Sequence, residues 1–200
     1  MASNGPVLKF LGGLLGFVAL ASPVAAGVPV GGWELEKDVD TPTYALSEPH
    51  STDLNIDMIV LSCEQGPQRR GLQLSIHLLG SGPLAPLSAG KLKADPRLEV
   101  IIDGKNHAVR LLFAGDFIVV ADSADGAMPL LSERLVNALQ YGRQLELRFD
   151  LLQKQGDQAL AFDGKAVFEL QAGRGGSAVA RVKRCADDRG QHLAETSRSR

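Results

Sequence analysis

The segment Gly71-Leu-Gln-Leu-Ser-Ile-His-Leu-Leu-Gly80 puts Leu72, Leu74, Ile76 and Leu78 on one side of an extended chain and Gln73, Ser75 and His77 on the other. A period of two bounded by glycines is the pattern of a half-buried strand, and it recurs along most of the chain. Trp33 and Leu35, then Tyr44 and Leu46, alternate with polar or small residues. Asp57-Met-Ile-Val-Leu-Ser-Cys63 is apolar and β-branched and runs into the turn-prone Glu64-Gln-Gly-Pro-Gln68, which predicts a central strand paired in a hairpin with residues 71–80. Residues 80–96 hold three prolines and read as a loop with a short irregular strand around Lys91-Leu-Lys93. Residues 98–102, 108–113 and 117–121 follow as strands. Their linkers, Asp103-Gly-Lys-Asn106 and Ala114-Gly-Asp116, are short and tolerate positive φ, so an antiparallel meander is expected.

The period then changes. Leu131, Leu135, Ala138 and Leu139 share a helical stripe, Ser132 is placed to cap, Glu133 lies in the first turn and Gly142 follows the last, which predicts a helix over 132–141. Strands resume at 145–149, near 159–162 and at 166–170, with Asp163-Gly164 as a turn. Ser177 then caps a second helix, in which Val179, Val182 and Cys185 recur every third residue. Parallel strands need long helical crossovers, and most of these linkers are too short for one. The expected fold is mainly β, an antiparallel β-sandwich or open barrel with two short helices.

At 200 residues, 44% hydrophobic and 22% charged, the chain has the make-up of one globular domain. A formal charge of −2 and 5% aromatics supply neither a basic surface nor stacking platforms, so nucleic acid is not an expected partner. The first 26 residues carry one charge, Lys9, then an apolar run and a small-residue ending, Val24-Ala-Ala26. That order is the order of a secretory signal peptide, with cleavage expected after Ala26 and membrane contact only through this transient segment. Loss of Lys9 takes the mature charge to −3. Residues 27–186 are then the single β-rich domain and 187–200 a polar, disordered tail. The protein is expected in the periplasm or outside the cell.

Export bears on the cysteines. Cys63 and Cys185, 122 residues apart, are the chain's two cysteines, without CxxC spacing. In an oxidising compartment this favours one structural disulfide, the other reading being two reduced, buried thiols.

Candidate chemistry is sparse. The histidines, His50, His77, His107 and His192, have no metal-pair spacing, so no metal and no cofactor is expected. Ser47-Glu-Pro-His-Ser-Thr-Asp53 collects triad residue types but reads as a polar turn, and no GxSxG occurs. Arg174-Gly175-Gly176-Ser177 ahead of a helix offers an anion cradle, although a loop leading into the cysteine-bearing helix explains it as well. Arg69-Arg70 reads as a solvated turn tip.

The succession of an early Trp33 strand, an extended Tyr44-Ala-Leu-Ser47, a strand ending in Cys63, a string of hairpins and a last helix ending at Cys185 resembles the invasion-associated locus B proteins of bacteria. It is similar as well to other small periplasmic β-sandwich proteins of uncharacterised function. The resemblance implies a non-enzymatic envelope or secreted protein that acts as a binding module, linked to host-cell interaction, with an unknown protein or envelope component as partner. Two alternatives stand beside it. One is an inhibitor of a lysozyme-like hydrolase, since an acidic domain suits a basic enzyme. The other is an exported hydrolase with His50 or His77 as base.

Overall fold

The computed structural model describes residues 32–85, 90–153, 162–171 and 175–198, with side chains as far as Asp187. The expected signal peptide, Arg174 and most of the strand expected near 159–162 lie outside these residues.

The chain forms a mainly β, antiparallel structure, as the alternation predicts. Its centre is the hairpin of β4 (Ile56–Gln65) and β5 (Arg70–Leu78), where Ile59, Leu61, Leu74 and Ile76 are fully buried on one face. The carboxylate of buried Asp125 holds the turn, accepting from the backbone N–H of Gln68 at 3.0 Å and of Arg69 at 3.1 Å. β1 (Glu34–Leu35) and β2 (Tyr44–Ser47) extend this sheet beyond β4, and β9 (Phe117–Ala121) and β8 (Arg110–Ala114) extend it beyond β5. A second sheet runs in the order β3 (Ser51–Thr52), β13 (Gly164–Glu169), β12 (Gln144–Leu152), β6 (Leu92–Ile102), β7 (Lys105–His107). Its apolar face carries Val100, Leu145, Leu147, Phe149 and Phe168, all fully buried, in one continuous core with the residues of the first sheet.

Two expectations change at strands. β6 begins at Leu92, so Pro96 lies within a strand and not at the end of a loop. The ladder tolerates it because the pairing jumps from Asp150↔Arg97 to Leu152↔Leu92, leaving Pro96 in an irregular stretch that needs no ladder N–H. The meander over 98–121 is also interrupted. Asp103 and Gly104, with φ of 48° and 79°, turn β6 into the three-residue β7, after which Ala108-Val109 carries the chain to β8 in the other sheet. A two-residue hairpin turn of type I′ needs positive φ at both central residues, which asparagine, aspartate and glycine supply at low cost.

A small hairpin of β10 (Ser123–Asp125) and β11 (Met128–Leu130) leads to α1 (Glu133–Tyr141). Ser132 caps it, its hydroxyl accepting from Leu135 N–H at 3.3 Å, while Leu135, Val136 and Leu139 enter the core. The last element, α2 (Gly175–Arg198), packs against α1, β4 and β5 through Ala178, Val179 and Val182. It is longer than the short helix expected, since the helix runs through the stretch where a tail beyond residue 186 is predicted. Its start is also earlier, so Ser177 lies inside the first turn and is not the residue before it.

Phe168 sits on β13 opposite Leu145 in the middle of the second sheet's buried face. Phe168→Ala is expected to cost about 3–5 kcal/mol in urea unfolding. Leu112→Ala, at a position 41% exposed, is expected to stay within about 0.5 kcal/mol.

Candidate functional site

Where the β4–β5 turn meets the two helices, the sequence brings three features together. Cys63 lies on the same face of β4 as Ile59 and Leu61, and Cys185 is three residues beyond Val182 on α2. The two cysteines, 122 residues apart in the chain, approach to 2.5 Å. That is longer than the about 2.05 Å of an S–S bond, and both are free thiols in this structure, so the expected disulfide is not formed here although the two cysteines are neighbours in space. Burial, with the hydrogen bond to Cys185 second, pushes the Cys63 thiol from its ordinary 9.0 up to about 12.

The third member is Arg70, at the start of β5. Its Nη1 donates to Cys185 Sγ at 3.0 Å and its Nε to Gln65 Oε1 at 3.1 Å. These two contacts fix the plane of the guanidinium. Among the described residues Arg70 has no carboxylate partner, and Nη2 makes no hydrogen bond.

Beside this trio opens a cleft of about 280 Å³ between the turn, α1 and α2. Leu72, Leu130, Leu131 and Val136 form its floor. Arg69 and Arg70 stand on the strand side, and Lys183, Ala186 and Asp187 on the helix side. Lys183 Nζ also reaches Glu133 Oε1 at 3.3 Å across the rim. Gly71 packs closely on the floor, where a β-carbon would stand 2.6 Å from Leu130 Cδ1 and the leucine side chain would have to shift. The basic step Arg69-Arg70, read from sequence as a solvated tip, is thus split in role: Arg69 is exposed, whereas Arg70 is half-buried and anchored.

The other predicted positions are placed elsewhere. Gly175 opens α2 with its Cα facing the Leu170 carbonyl, where a β-carbon would collide, and a β-carbon on Gly176 would stand 2.7 Å from the Gln140 carbonyl. Close backbone approach therefore accounts for both glycines of the expected anion cradle. His50 is exposed, its N–H donating to the Val167 carbonyl at 2.8 Å. His77 stacks on Phe117 with ring centroids 5.3 Å apart, and its Nε2 lies 3.0 Å from Ser75 Oγ, a contact not anticipated from sequence. Among the described residues no group of three or more His, Cys, Asp or Glu is placed to hold a metal ion, and no helix is long and apolar enough to cross a membrane.

His107 is 4% exposed, and its Nδ1 has no hydrogen-bond partner. Burial, and the nearby charges of Arg134 and Lys105, hold its pKa below the ordinary 6.5 despite an opposing effect of Asp122. The folded state resists protonation there while the unfolded chain accepts a proton, so this residue makes stability fall as pH drops through about 6.5 and below. Chemical denaturation between pH 7.5 and 5 is expected to show that loss, and His107→Leu to flatten it.

No family model matches the chain, and neither a curated protein nor a solved structure matches it.

Proposed function

We propose that this chain is an exported, non-enzymatic binding module of the bacterial envelope, closed by a Cys63–Cys185 disulfide, that holds its partner at the cleft between the β4–β5 turn and α2. The observation that carries this reading is the meeting of two distant cysteines beside a cleft with an apolar floor and a charged rim. Oxidation would remove one hydrogen from each thiol, the two electrons passing to a disulfide-bearing carrier in the export compartment, which leaves as its dithiol. The bond would fasten α2, one wall of the cleft, to the central strand of the first sheet. The leader-like residues 1–26 and the resemblance to locus B proteins point the same way.

The second reading, an exported hydrolase, is favoured by the Ser75–His77 contact. Against it, the two residues stand on one face of a regular strand, where a serine lacks the strained turn that exposes a nucleophile. Among the described residues no carboxylate hydrogen-bonds His77. A fluorophosphonate serine probe is expected to leave the mature protein unlabelled, and labelling that Ser75→Ala abolishes would favour hydrolysis instead.

Chain recovered from the producing cell's envelope is expected to begin at Gly27, to weigh two hydrogens less than the dithiol form, and to resist alkylation until reduced. Cys63→Ser is expected to lower stability by about 2–5 kcal/mol under oxidising conditions. Capture of envelope components by the immobilised protein should be lost on Arg69→Glu with Lys183→Glu, and kept on Lys165→Glu in the second sheet. Capture indifferent to the first pair, or alkylation without reduction, would overturn the reading.

A further inference from the structure

We infer that the group recognised in this cleft is a monocarboxylate on a short aliphatic stem, received by the Arg70 guanidinium. The inference rests on the binding-module reading and names the chemistry that the module recognises.

Arg70 is the unusual residue. A partly buried cation ordinarily ends on a carboxylate, as Lys93 does on Asp150 at 2.7 Å. Arg70 instead spends Nε on a neutral amide oxygen and Nη1 on a sulfur. Both bonds fix its orientation, and neither supplies a negative charge. The donors at Nη2 and the uncompensated charge are therefore held ready at the cleft, so that little side-chain entropy remains to be lost when an anion arrives.

Charge sets the valence of that anion. The cleft is lined by three cations, Arg69, Arg70 and Lys183, and two anions, Glu133 and Asp187, leaving one positive charge in excess. A carboxylate neutralises it, whereas a phosphate dianion would leave the site negative. The planar guanidinium fork matches the two oxygens of a carboxylate. Size sets the rest. At about 280 Å³ the cleft lies just under the range of about 300–1,000 Å³ that houses drug-sized ligands, and its floor is leucine and valine. A branched chain of a few carbons fits that description, either as a free acid or as the C-terminal residue of a peptide.

The mature, oxidised protein is titrated by NMR with 4-methylpentanoate, its neutral amide and inorganic phosphate, and separately with a tetrapeptide ending in leucine as free acid or as amide. The expected result is saturable shifts of the Gly71 and Ala186 amides with the acids, at least tenfold weaker binding of each amide, and phosphate binding no tighter than the acid. Arg70→Gln should weaken the acids at least tenfold without changing affinity for the amides. A peptide acid tenfold tighter than 4-methylpentanoate assigns the carboxylate to a chain terminus, and equal affinities assign it to a small acid.

Equal binding of acid and amide in the unmodified protein, tenfold tighter phosphate binding, or shifts confined to other surfaces would overturn the inference, and none of these depends on a variant folding. Envelope capture that still depends on the Arg69 and Lys183 charges, together with absent carboxylate binding, would discard the carboxylate and keep the module. Loss of both would discard both.

Discussion

Everything in this fold depends on α2 reaching back to the middle of the first sheet. Two antiparallel sheets share one core, to which one contributes Phe149 and Phe168 and the other Ile59, Leu61, Leu74 and Ile76. The core they enclose also takes in Val179 and Val182 of α2, together with Leu135, Val136 and Leu139 of α1. Each fully buried side chain of this size contributes roughly 1.5–3 kcal/mol relative to exposure, so the contacts of α2 weigh heavily in a domain whose net stability is about 5–15 kcal/mol. The cleft exists because the same helix, having covered the core with its apolar stripe, leaves Lys183 and Asp187 at the margin.

The protein's carboxylates show how a small β domain disposes of charge. Asp125 ties the β4–β5 turn to the β10–β11 hairpin, Asp163 receives the N–H groups of Leu151 and Leu152, and Asp103 receives those of Arg143 and Gln144. Asp122 joins the cap of α1, accepting from the Ser132 N–H at 2.6 Å. Each satisfies backbone donors at an end or a turn, where a sheet leaves them unpaired. Against that pattern Arg70 stands out as a charge that is positioned with no carboxylate counterpart among the described residues.

Local signals carried the reading a long way. The alternation of residues 71–80 is β5, the capping residue of α1 is the one that the sequence marks, and Asp103-Gly104 turns as its positive-φ tolerance suggests. What was not legible is non-local. Pro96 argues for a loop unless one knows that β12 pairs irregularly opposite it. The passage from β7 to β8 gives no sign in two residues, Ala108 and Val109, that the chain is changing sheets. The cysteines invite pairing on their number and on the export expected of the chain, but nothing in the sequence sets Arg70 between Gln65 and Cys185. The role of Arg70 emerges only when the β4–β5 turn and α2 are brought into one place, a placement decided by burial of leucines and valines elsewhere.

The position of α2 in the chain has a consequence for synthesis. The strand that receives Cys185 and Val182 emerges from the ribosome more than a hundred residues before them, so the first sheet must wait with part of its apolar face open until nearly the whole domain has been made. Contacts of such long sequence separation form late and slowly. A nascent chain of this design stays short of its final packing throughout elongation, which is the condition in which a polypeptide can still be threaded through a narrow channel, and it gains its last wall only when the C-terminal helix is free to dock.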